Sequence, residues 1–488
     1  MSFSINKLPL RKIIIFFIIL LAFYLRVRHL STDLLFHRDQ GLHSLSVWNI
    51  YQNKQFSLLG HPSDVDGLTH APIYYWLMLP AYALSGGSPA VASLFQIILE
   101  VLSLPLLFLA IKKLFNQKTA FLTLLIYSVS YGGISLSRWL VNVTPILPFV
   151  NLLLYLLVYH SKVFIVSLVV GIITQLNAAI GTFLLPFLFW FYRSKTSLKT
   201  TAQILAGFLL PALPLLVFEL RHNFVITQAV LNFSGQSGHG LGLNPNVFIT
   251  NLGVLFTEIN KIISYPFIYV SSLLFIFGFL KVLKLKNSKL IYAFILIPFI
   301  GLSFFQRGAI GFFFVSLIPL SIAIIAYGLQ SLPRHIYMLF LTLILLSNLS
   351  LLPKIYQPTN ALIPIGNANI ITLQDRKNII DFMYQQANGE QFSVWFYTIP
   401  YFQEEVWDHM FNYYALPKYG YAPEQTSGFS PNDLKTSKLF FSVYEPDVDQ
   451  PTKLASWQQE AIKNFGSISK SHISNDLHAS FHSWSQSL

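Results

Sequence analysis

Long apolar runs recur along most of this chain, and they constrain its fold more than any other feature. The runs are about 18–25 residues long, enough for a helix to cross the roughly 30 Å hydrocarbon core of a bilayer. Of the 488 residues, 54% are hydrophobic and 11% are charged, whereas soluble domains carry about 25% charged residues. The sequence therefore predicts a mainly α-helical, polytopic membrane protein.

About eleven transmembrane helices are predicted from these runs. We place them near residues 10–28, 88–113, 118–136, 142–160, 162–178, 180–192, 199–218, 264–282, 289–305, 309–328 and 335–352. The first run lacks a small-residue cleavage site, so we interpret it as an uncleaved helix rather than a signal peptide.

Lysine and arginine collect in alternate short loops between these runs, a pattern typical of cytoplasmic loops. We therefore predict a multi-pass plasma-membrane protein with a cytoplasmic N-terminus and an extracytoplasmic C-terminus. The net charge of +12 is explained by these loops, so we expect membrane lipids and no nucleic acid as partners. The chain has no cysteine, which excludes disulfides and thiolate chemistry.

Residues 353–488 have the composition of a soluble protein. Two short apolar runs, Phe392–Tyr397 and Leu439–Tyr444, indicate buried strands. Amphipathic patterns at 375–388 and 457–465 indicate helices. We therefore predict two domains, a transmembrane domain at 1–352 and a small extracytoplasmic α/β domain at 353–488.

The loop at residues 29–87, here called the first loop, is the longest predicted loop on the outer side before the last span. Its segment 71–86 is apolar but too short for a comfortable span. We interpret this segment as a re-entrant or interfacial helix, since backbone at membrane depth is tolerated where protein covers it.

Two ionisable residues of the first loop are candidates for chemistry. Asp39 precedes an apparent helix at 40–51, so it is either an N-terminal cap or a general base held by a rigid helix. His70 precedes Pro72 and the aromatic run at 74–76, so it either belongs to an interfacial aromatic belt or faces a phosphate or sugar.

Other candidates depend on their predicted location at the outer surface. Arg138, Arg221 and Arg307 lie at the outer ends of predicted helices, where arginine either snorkels or binds a lipid phosphate. Asp64 and Asp66 form a DxD pattern, which can hold a divalent metal. Walker and GxGxxG loops are absent from the sequence, so ATP-driven transport has no support.

The segment FHRDQGLHSLSVWNIYQNKQFSLLGHPSDVDGLTHAPIYYWL at 36–77 resembles the first outer loop of glycosyltransferase family 39. This family includes the protein O-mannosyltransferases and the lipid A aminoarabinose transferases. Two further stretches are similar, SRWLVNVTPILPF at 137–149 and FELRHNF at 218–224. The resemblance implies the GT-C fold and transfer of a sugar from a polyprenyl-phosphate carrier to an extracytoplasmic acceptor.

Carried onto this chain, the resemblance makes Asp39 the catalytic base of an inverting displacement. Relatives often have a second acid where Gln40 stands here, and an Asp-Pro pair where Thr144-Pro145 stands. The implied contacts of the donor phosphate are His70, Arg138, Arg221, His222 and Arg307. The residues expected to line the substrate groove are Gln40, Tyr74, Tyr75 and Trp76. The scheme needs no cofactor and no metal.

Three alternatives stay open from the sequence. One is a metal-dependent transferase of lipid-pyrophosphate oligosaccharides, with Asp64 and Asp66 as ligands. Another is a lipid-linked sugar flippase or transporter without catalysis, although its polar groups would be expected at the membrane midplane. The third is an inactive relative, because both second acids are missing.

Overall fold

The computed structural model describes residues 10–63, 67–159, 161–195, 197–235, 242, 244–264, 269–304, 308–352, 371–428, 430–431, 434 and 437–483. Up to residue 352 the described chain is helical. Its apolar runs are long, are rich in leucine and phenylalanine, and lack the alternation of apolar and polar residues that is typical of strands. These helices are α1 (Leu10–Val27), α2 (Leu30–Asp33), α3 (Arg38–Asn53), α4 (Ile73–Ser85), α5 (Pro89–Leu114), α6 (Gln117–Val129), α7 (Tyr131–Arg138), α8 (Ile146–Val158), α9 (Val163–Leu176), α10 (Ala178–Gly181), α11 (Leu184–Tyr192), α12 (Leu198–Leu209), α13 (Leu213–Arg221), α14 (Val225–Gly235), α15 (Pro245–Ile263), α16 (Val270–Val282), α17 (Ser288–Ser303), α18 (Ile318–Gln330) and α19 (Arg334–Leu351).

Membrane-spanning length is met by fewer helices than the predicted eleven. Within the described residues, four segments are long and apolar enough, namely Pro89–Leu114, Leu198–Arg221, Gly311–Gln330 and Arg334–Leu351. A fifth is obtained if α6 and α7, which are bent by 62° at their junction, are counted as one span. Four further apolar helices are shorter, at 10–17 residues. The membrane location is supported, and the number of about eleven spans stays a prediction.

A buried ion pair joins α1 to its neighbours. Arg26 donates from Nε to Glu100 Oε1 at 3.1 Å, and both side chains are almost completely buried. Tyr127 donates its hydroxyl to the same carboxylate oxygen at 3.0 Å. Because an unpaired charge at membrane depth is costly, polar groups there are expected to pair. The pairing connects α1, α5 and α6 just before the first loop begins.

The C-terminal sheet region, residues 371–483, contains a five-stranded sheet with the strand order β2-β1-β3-β5-β4. Its strands are β1 (Phe392–Tyr397), β2 (Glu424–Thr426), β3 (Leu439–Tyr444), β4 (Ser467–Ser474) and β5 (Leu477–Ser483). Its helices are α20 (Leu373–Ala387), α21 (Glu405–Met410), α22 (Leu416–Tyr419) and α23 (Pro451–Phe465). Strand β1 pairs in parallel with both β2 and β3, and β5 runs antiparallel to β3 and β4.

The composition of β1 explains its central position in this sheet. Every residue of its sequence FSVWFY is buried, as expected for a parallel strand covered on both faces. Phe392 packs on Tyr384 of α20, while Trp395 packs on Phe465 of α23. The predicted small α/β region is confirmed in outline. The predicted division at residue 353 falls in 353–370, outside the described residues.

The C-terminal sheet region is joined to the first loop by backbone hydrogen bonds. Leu373 N donates to Leu34 O at 2.7 Å, and Phe36 N donates to Ile371 O at 3.2 Å. Helix α21 then packs directly on α3. A Cβ atom at Gly41 of α3 would lie 2.6 Å from the Val406 Cα atom. Only glycine therefore permits this close approach of the two helices.

Candidate active site

Helix α3 holds Asp39 at its N-terminal end. The residue preceding the helix is His37, whose backbone N–H donates to Gln40 Oε1 at 2.9 Å. Asp39 is therefore not the N-terminal cap of α3, so the alternative role suggested by its sequence position does not apply. The Asp39 side chain is 47% exposed and lies 3.6 Å from Arg38 Nη1. The helix presents an accessible carboxylate at a fixed place, and its dipole favours the ionised form.

Gln40 has a different environment from the groove position expected of it. The side chain is buried, with 3% of its surface exposed. Its amide oxygen accepts the His37 N–H described above. This contact stabilises the first turn of α3. Gln40 therefore supports the helix that carries Asp39.

Three histidines form a connected cluster beside Asp39. His43 follows Asp39 by four residues, so the two share one face of α3. The His43 ring centroid lies 4.6 Å from that of His61, and the His61 ring is stacked 6.5 Å from the His70 ring. The structure thus brings His70 to the helix of Asp39 by way of His61.

The predicted aromatic residues of α4 pack around this histidine cluster. The ring centroids of Tyr74 and Tyr75 lie 4.8 Å and 5.8 Å from the His43 ring centroid. Both tyrosines are buried. Trp76 is half-buried, and its indole N–H has no hydrogen-bond partner among the described residues. Tyr74 and Tyr75 therefore form the wall behind His43, while Trp76 retains a donor.

Burial and neighbouring basic side chains disfavour a positive charge on His43. Burial lowers the pKa of His43 well below 6.5, and His61, His70 and Arg38 lower it further by charge repulsion. His43 is therefore neutral at physiological pH. Arg38 carries a permanent positive charge here, which a bound anion would compensate. The cluster is suited to a phosphate more than to a second cation.

The predicted phosphate-binding residues outside the first loop lie in separate environments. Arg138 is buried and donates from its guanidinium to the carbonyls of Arg28 and His29, at 3.2 Å and 3.5 Å. Arg221 and His222 are exposed at the end of α13. The His222 Nδ1 atom lies 2.9 Å from Phe218 O.

Asp64, Asp66 and Arg307 lie outside the described residues. In the part of the chain that is described, histidine, aspartate and glutamate residues form no group of three or more that could hold a metal. The metal-free scheme stays a prediction.

Comparison with known proteins relates this geometry to a family and a fold. Residues 69–218 match the family model described as dolichyl-phosphate-mannose-protein mannosyltransferase. The structure is similar to ArnT from Cupriavidus metallidurans bound to undecaprenyl phosphate, with a TM-score of 0.59 and 12% identity. This similarity covers 96% of this chain and 98% of ArnT. The chain has the GT-C fold. The resemblance inferred from the sequence is thereby confirmed.

Two further solved structures are similar to this GT-C chain. ArnT from the same organism in the apo state has a TM-score of 0.55 at 12% identity, covering 96% of this chain and 97% of ArnT. The oligosaccharyltransferase AglB from Archaeoglobus fulgidus, in complex with an inhibitory peptide and a dolichol-phosphate, has a TM-score of 0.48 at 10% identity. That match covers 98% of this chain and 75% of AglB. No curated protein sequence matches the chain.

Two buried histidines, His37 and His409, lie at the contact between the first loop and the C-terminal sheet region. Burial, together with Arg376, lowers the pKa of His37 to about 3. Burial lowers the pKa of His409 to about 3 as well, although Nε2 of this histidine lies 3.0 Å from Gly87 O. Both stay neutral in the folded chain until the pH is well below 6.5.

Acidification is expected to weaken the contact. Between pH 6.5 and about 3 the unfolded chain binds protons that the folded chain refuses, so stability is complete above pH 6.5 and falls below it. Each histidine costs about 1.4 kcal/mol per pH unit, or roughly 2 kcal/mol at pH 5. Amide hydrogen exchange at pH 7.5 and pH 5, with each sample corrected for intrinsic rates, measures this loss. His409→Gln should remove the contribution of this histidine, about 2 kcal/mol at pH 5, whereas the exposed control His335→Gln should not change the loss.

Proposed function

We propose that this chain transfers a sugar from a polyprenyl-phosphate carrier to an acceptor hydroxyl on the extracytoplasmic side of the plasma membrane. The observation that carries the proposal is the accessible Asp39 carboxylate at the start of α3, one turn before the histidine cluster. The GT-C fold supports it, since the similar structure, which matches over 98% of the ArnT chain, is ArnT bound to undecaprenyl phosphate. The description of the matched family model, dolichyl-phosphate-mannose-protein mannosyltransferase, also names a lipid-phosphate-linked sugar.

The proposed reaction is a single displacement with inversion. Asp39 removes the proton of the acceptor hydroxyl as that oxygen attacks the anomeric carbon. The new bond joins acceptor oxygen and anomeric carbon, and the bond between this carbon and the phosphate oxygen breaks. Polyprenyl phosphate leaves with the bonding electron pair. His70, as a hydrogen-bond donor, and the Arg38 guanidinium stabilise its charge.

The same proposal implies an orientation of the chain in the membrane. The first loop and the C-terminal sheet region contact each other, so one side of the membrane holds both. The arrangement of lysine and arginine in alternate loops supports the extracytoplasmic side, with the N-terminus in the cytoplasm. The acceptor would then reach Asp39 from outside the cell, while the donor lipid reaches it from within the bilayer.

The experiment is a transfer assay with the full chain in lipid nanodiscs. Donors are polyprenyl phosphates carrying mannose or 4-amino-arabinose, and the readouts are released polyprenyl phosphate and the anomeric configuration of the product. We expect inversion, and activity that survives EDTA. Retention of configuration would contradict the direct displacement. Loss of activity in EDTA, restored by Mg²⁺ or Mn²⁺, would favour the metal-dependent alternative with Asp64 and Asp66.

A further inference from the structure

A cleft in the C-terminal sheet region lies at the carboxyl ends of β1 and β2. It has a volume of about 270 Å³ and lies between the segment at 398–403 and helix α23. In the sheet order, β2 lies on one side of β1 and β3 on the other. The cleft thus lies beyond the carboxyl ends of two neighbouring parallel strands, which is the edge of an open α/β sheet where ligands bind. The volume is close to the lower end of ligand pockets, about 300–1,000 Å³, and suits one sugar ring.

Aromatic side chains line this cleft and are held in fixed positions. The Trp395 and Trp457 ring centroids are 4.6 Å apart. Tyr397 and Tyr401 each donate a hydroxyl hydrogen bond to Asp447 Oδ2 at 2.6 Å. Because these contacts already fix the rings, little side-chain freedom remains to be lost on binding. Trp395 is fully buried behind Trp457, so the accessible rings are those of Trp457, Tyr401 and Phe402. Such rigid aromatic rings suit the apolar C–H face of a pyranose.

The charged groups of the cleft favour a neutral, hydroxyl-rich ligand. Lys453 and Glu460 both line it from α23, and the Lys453 Nζ atom lies 3.2 Å from the centre of the Tyr401 ring. With Asp447 included, the nearby charges do not attract an anion. The lysine supplies hydrogen-bond donors and the glutamate supplies acceptors. A phosphate-bearing lipid therefore fits this cleft poorly, whereas a neutral saccharide fits it well.

A short segment connects the cleft to the candidate active site. Phe402 lines the cleft, is 42% exposed and has a backbone φ of 61°. This left-handed conformation is unusual for a bulky residue, and such strain persists where surrounding structure imposes it. The next residue, Gln403, accepts a hydrogen bond at Oε1 from Arg38 Nε at 2.9 Å. Arg38 in turn neighbours Asp39.

We propose that this cleft binds a saccharide unit of the acceptor and thereby directs the acceptor hydroxyl towards Asp39. The proposal rests on the proposed function, because it names the acceptor as a glycan. The segment at 398–403 is the physical connection, with Phe402 in the cleft and Gln403 on the arginine beside the base. A ligand in the cleft would contact Phe402, and the next residue, Gln403, is hydrogen-bonded to Arg38.

Binding is tested on the full chain in nanodiscs by titration of its tryptophan fluorescence. The probes are methyl glycosides of mannose, glucose, galactose and N-acetylglucosamine, and a serine- and threonine-containing peptide represents the other acceptor class. Phe402→Asn removes the ring and tolerates the left-handed backbone, while Lys453→Met removes the charge. The matched control is Ile473→Asn, at a 58% exposed position on β4 at the far edge of the sheet.

We expect saturable binding of at least one glycoside, weakened tenfold or more by Phe402→Asn and by Lys453→Met and unchanged by Ile473→Asn. In transfer assays the two cleft variants should raise the KM for a glycan acceptor and leave the KM for the donor unchanged. Binding of none of the glycosides, binding that survives both substitutions, or binding of the peptide alone overturns the proposal.

Asp39→Asn separates this proposal from the proposed function. The variant should bind the glycoside as the wild type does while transfer is lost. If wild-type transfer occurs and the cleft variants behave as wild type, the saccharide cleft is wrong and the transferase proposal stands. If glycoside binding depends on Phe402 and Lys453 but no donor supports transfer, the transferase proposal fails while the binding site stands.

Discussion

Asp39→Asn is expected to lower the kcat for sugar transfer by about 10²–10⁴-fold, the usual contribution of a general base. An amide has nearly the same shape as a carboxylate but cannot accept the proton of the acceptor hydroxyl. The KM for the donor lipid should change little, because the base does not contact the phosphate in the proposed reaction. The measurement is the steady-state rate of polyprenyl phosphate release from the lipid-linked donor.

Stability should hardly change in the same variant. Asp39 is about half exposed, and its 3.6 Å contact with Arg38 is a surface ion pair of about 0–1 kcal/mol. Asp33→Asn is the matched control, since it makes the same change in the same loop, where Asp33 Oδ1 accepts from Thr32 Oγ1 at 2.9 Å. Equal rates for Asp39→Asn and wild type would show that the proposed base is wrong.

Arg376→Met is expected to produce the largest loss of stability, about 3–5 kcal/mol. The Arg376 Nη2 atom donates to Glu445 Oε1 at 2.9 Å, and both side chains are buried. Its Nε atom donates to Phe36 O at 2.7 Å, directly before the residue that precedes α3. Its guanidinium also lies over the Trp407 ring, 4.9 Å from the centroid. Removing the cation leaves Glu445 as a buried charge without its partner.

Thermal unfolding, together with amide hydrogen exchange in α3, measures this effect. Exchange in the first turn of α3 should rise, because the Phe36 carbonyl loses its anchor. Lys418→Met is the control, since its pair with Asp381 is partly exposed, with Lys418 at 44%, and should contribute less than about 1 kcal/mol. Arg376→Met with Glu445→Met should recover part of the stability. If α3 exchange is unchanged in Arg376→Met, the arginine stabilises only its own region.

The strands of the C-terminal sheet region could be predicted because their signal is local. Phe392–Tyr397 and Leu439–Tyr444 are short apolar runs between polar turns, and both are strands with these bounds. The helix predicted at 40–51 also exists, extended to Arg38–Asn53. The number and the continuity of the membrane spans were harder to predict, because a hydropathy pattern does not show where a helix bends. The run at 118–136 breaks at Ser130, whose Oγ donates to Ile262 O on a distant helix.

The candidate site could be predicted only in part. Asp39 and His70 were found from motifs, and the relation of His43 to Asp39, four residues apart on one helix, was present in the sequence but missed. The contacts made by Arg376 and Gln403 had no local signal. Arg376 and Gln403 form hydrogen bonds with first-loop residues that are 340 and 365 positions away in the sequence. Such pairs are created by tertiary packing, which a single sequence does not show.

The hydrogen bonds between residues 34–36 and 371–373 imply an order of folding during synthesis of the chain. The helix that carries Asp39 is translated early, yet the partners that lock it are more than 300 residues downstream. At about 5–20 residues per second, tens of seconds pass while the intervening helices enter the membrane. A nascent chain would therefore hold its carboxylate in an unanchored loop, and catalytic competence would begin only when the last quarter has folded.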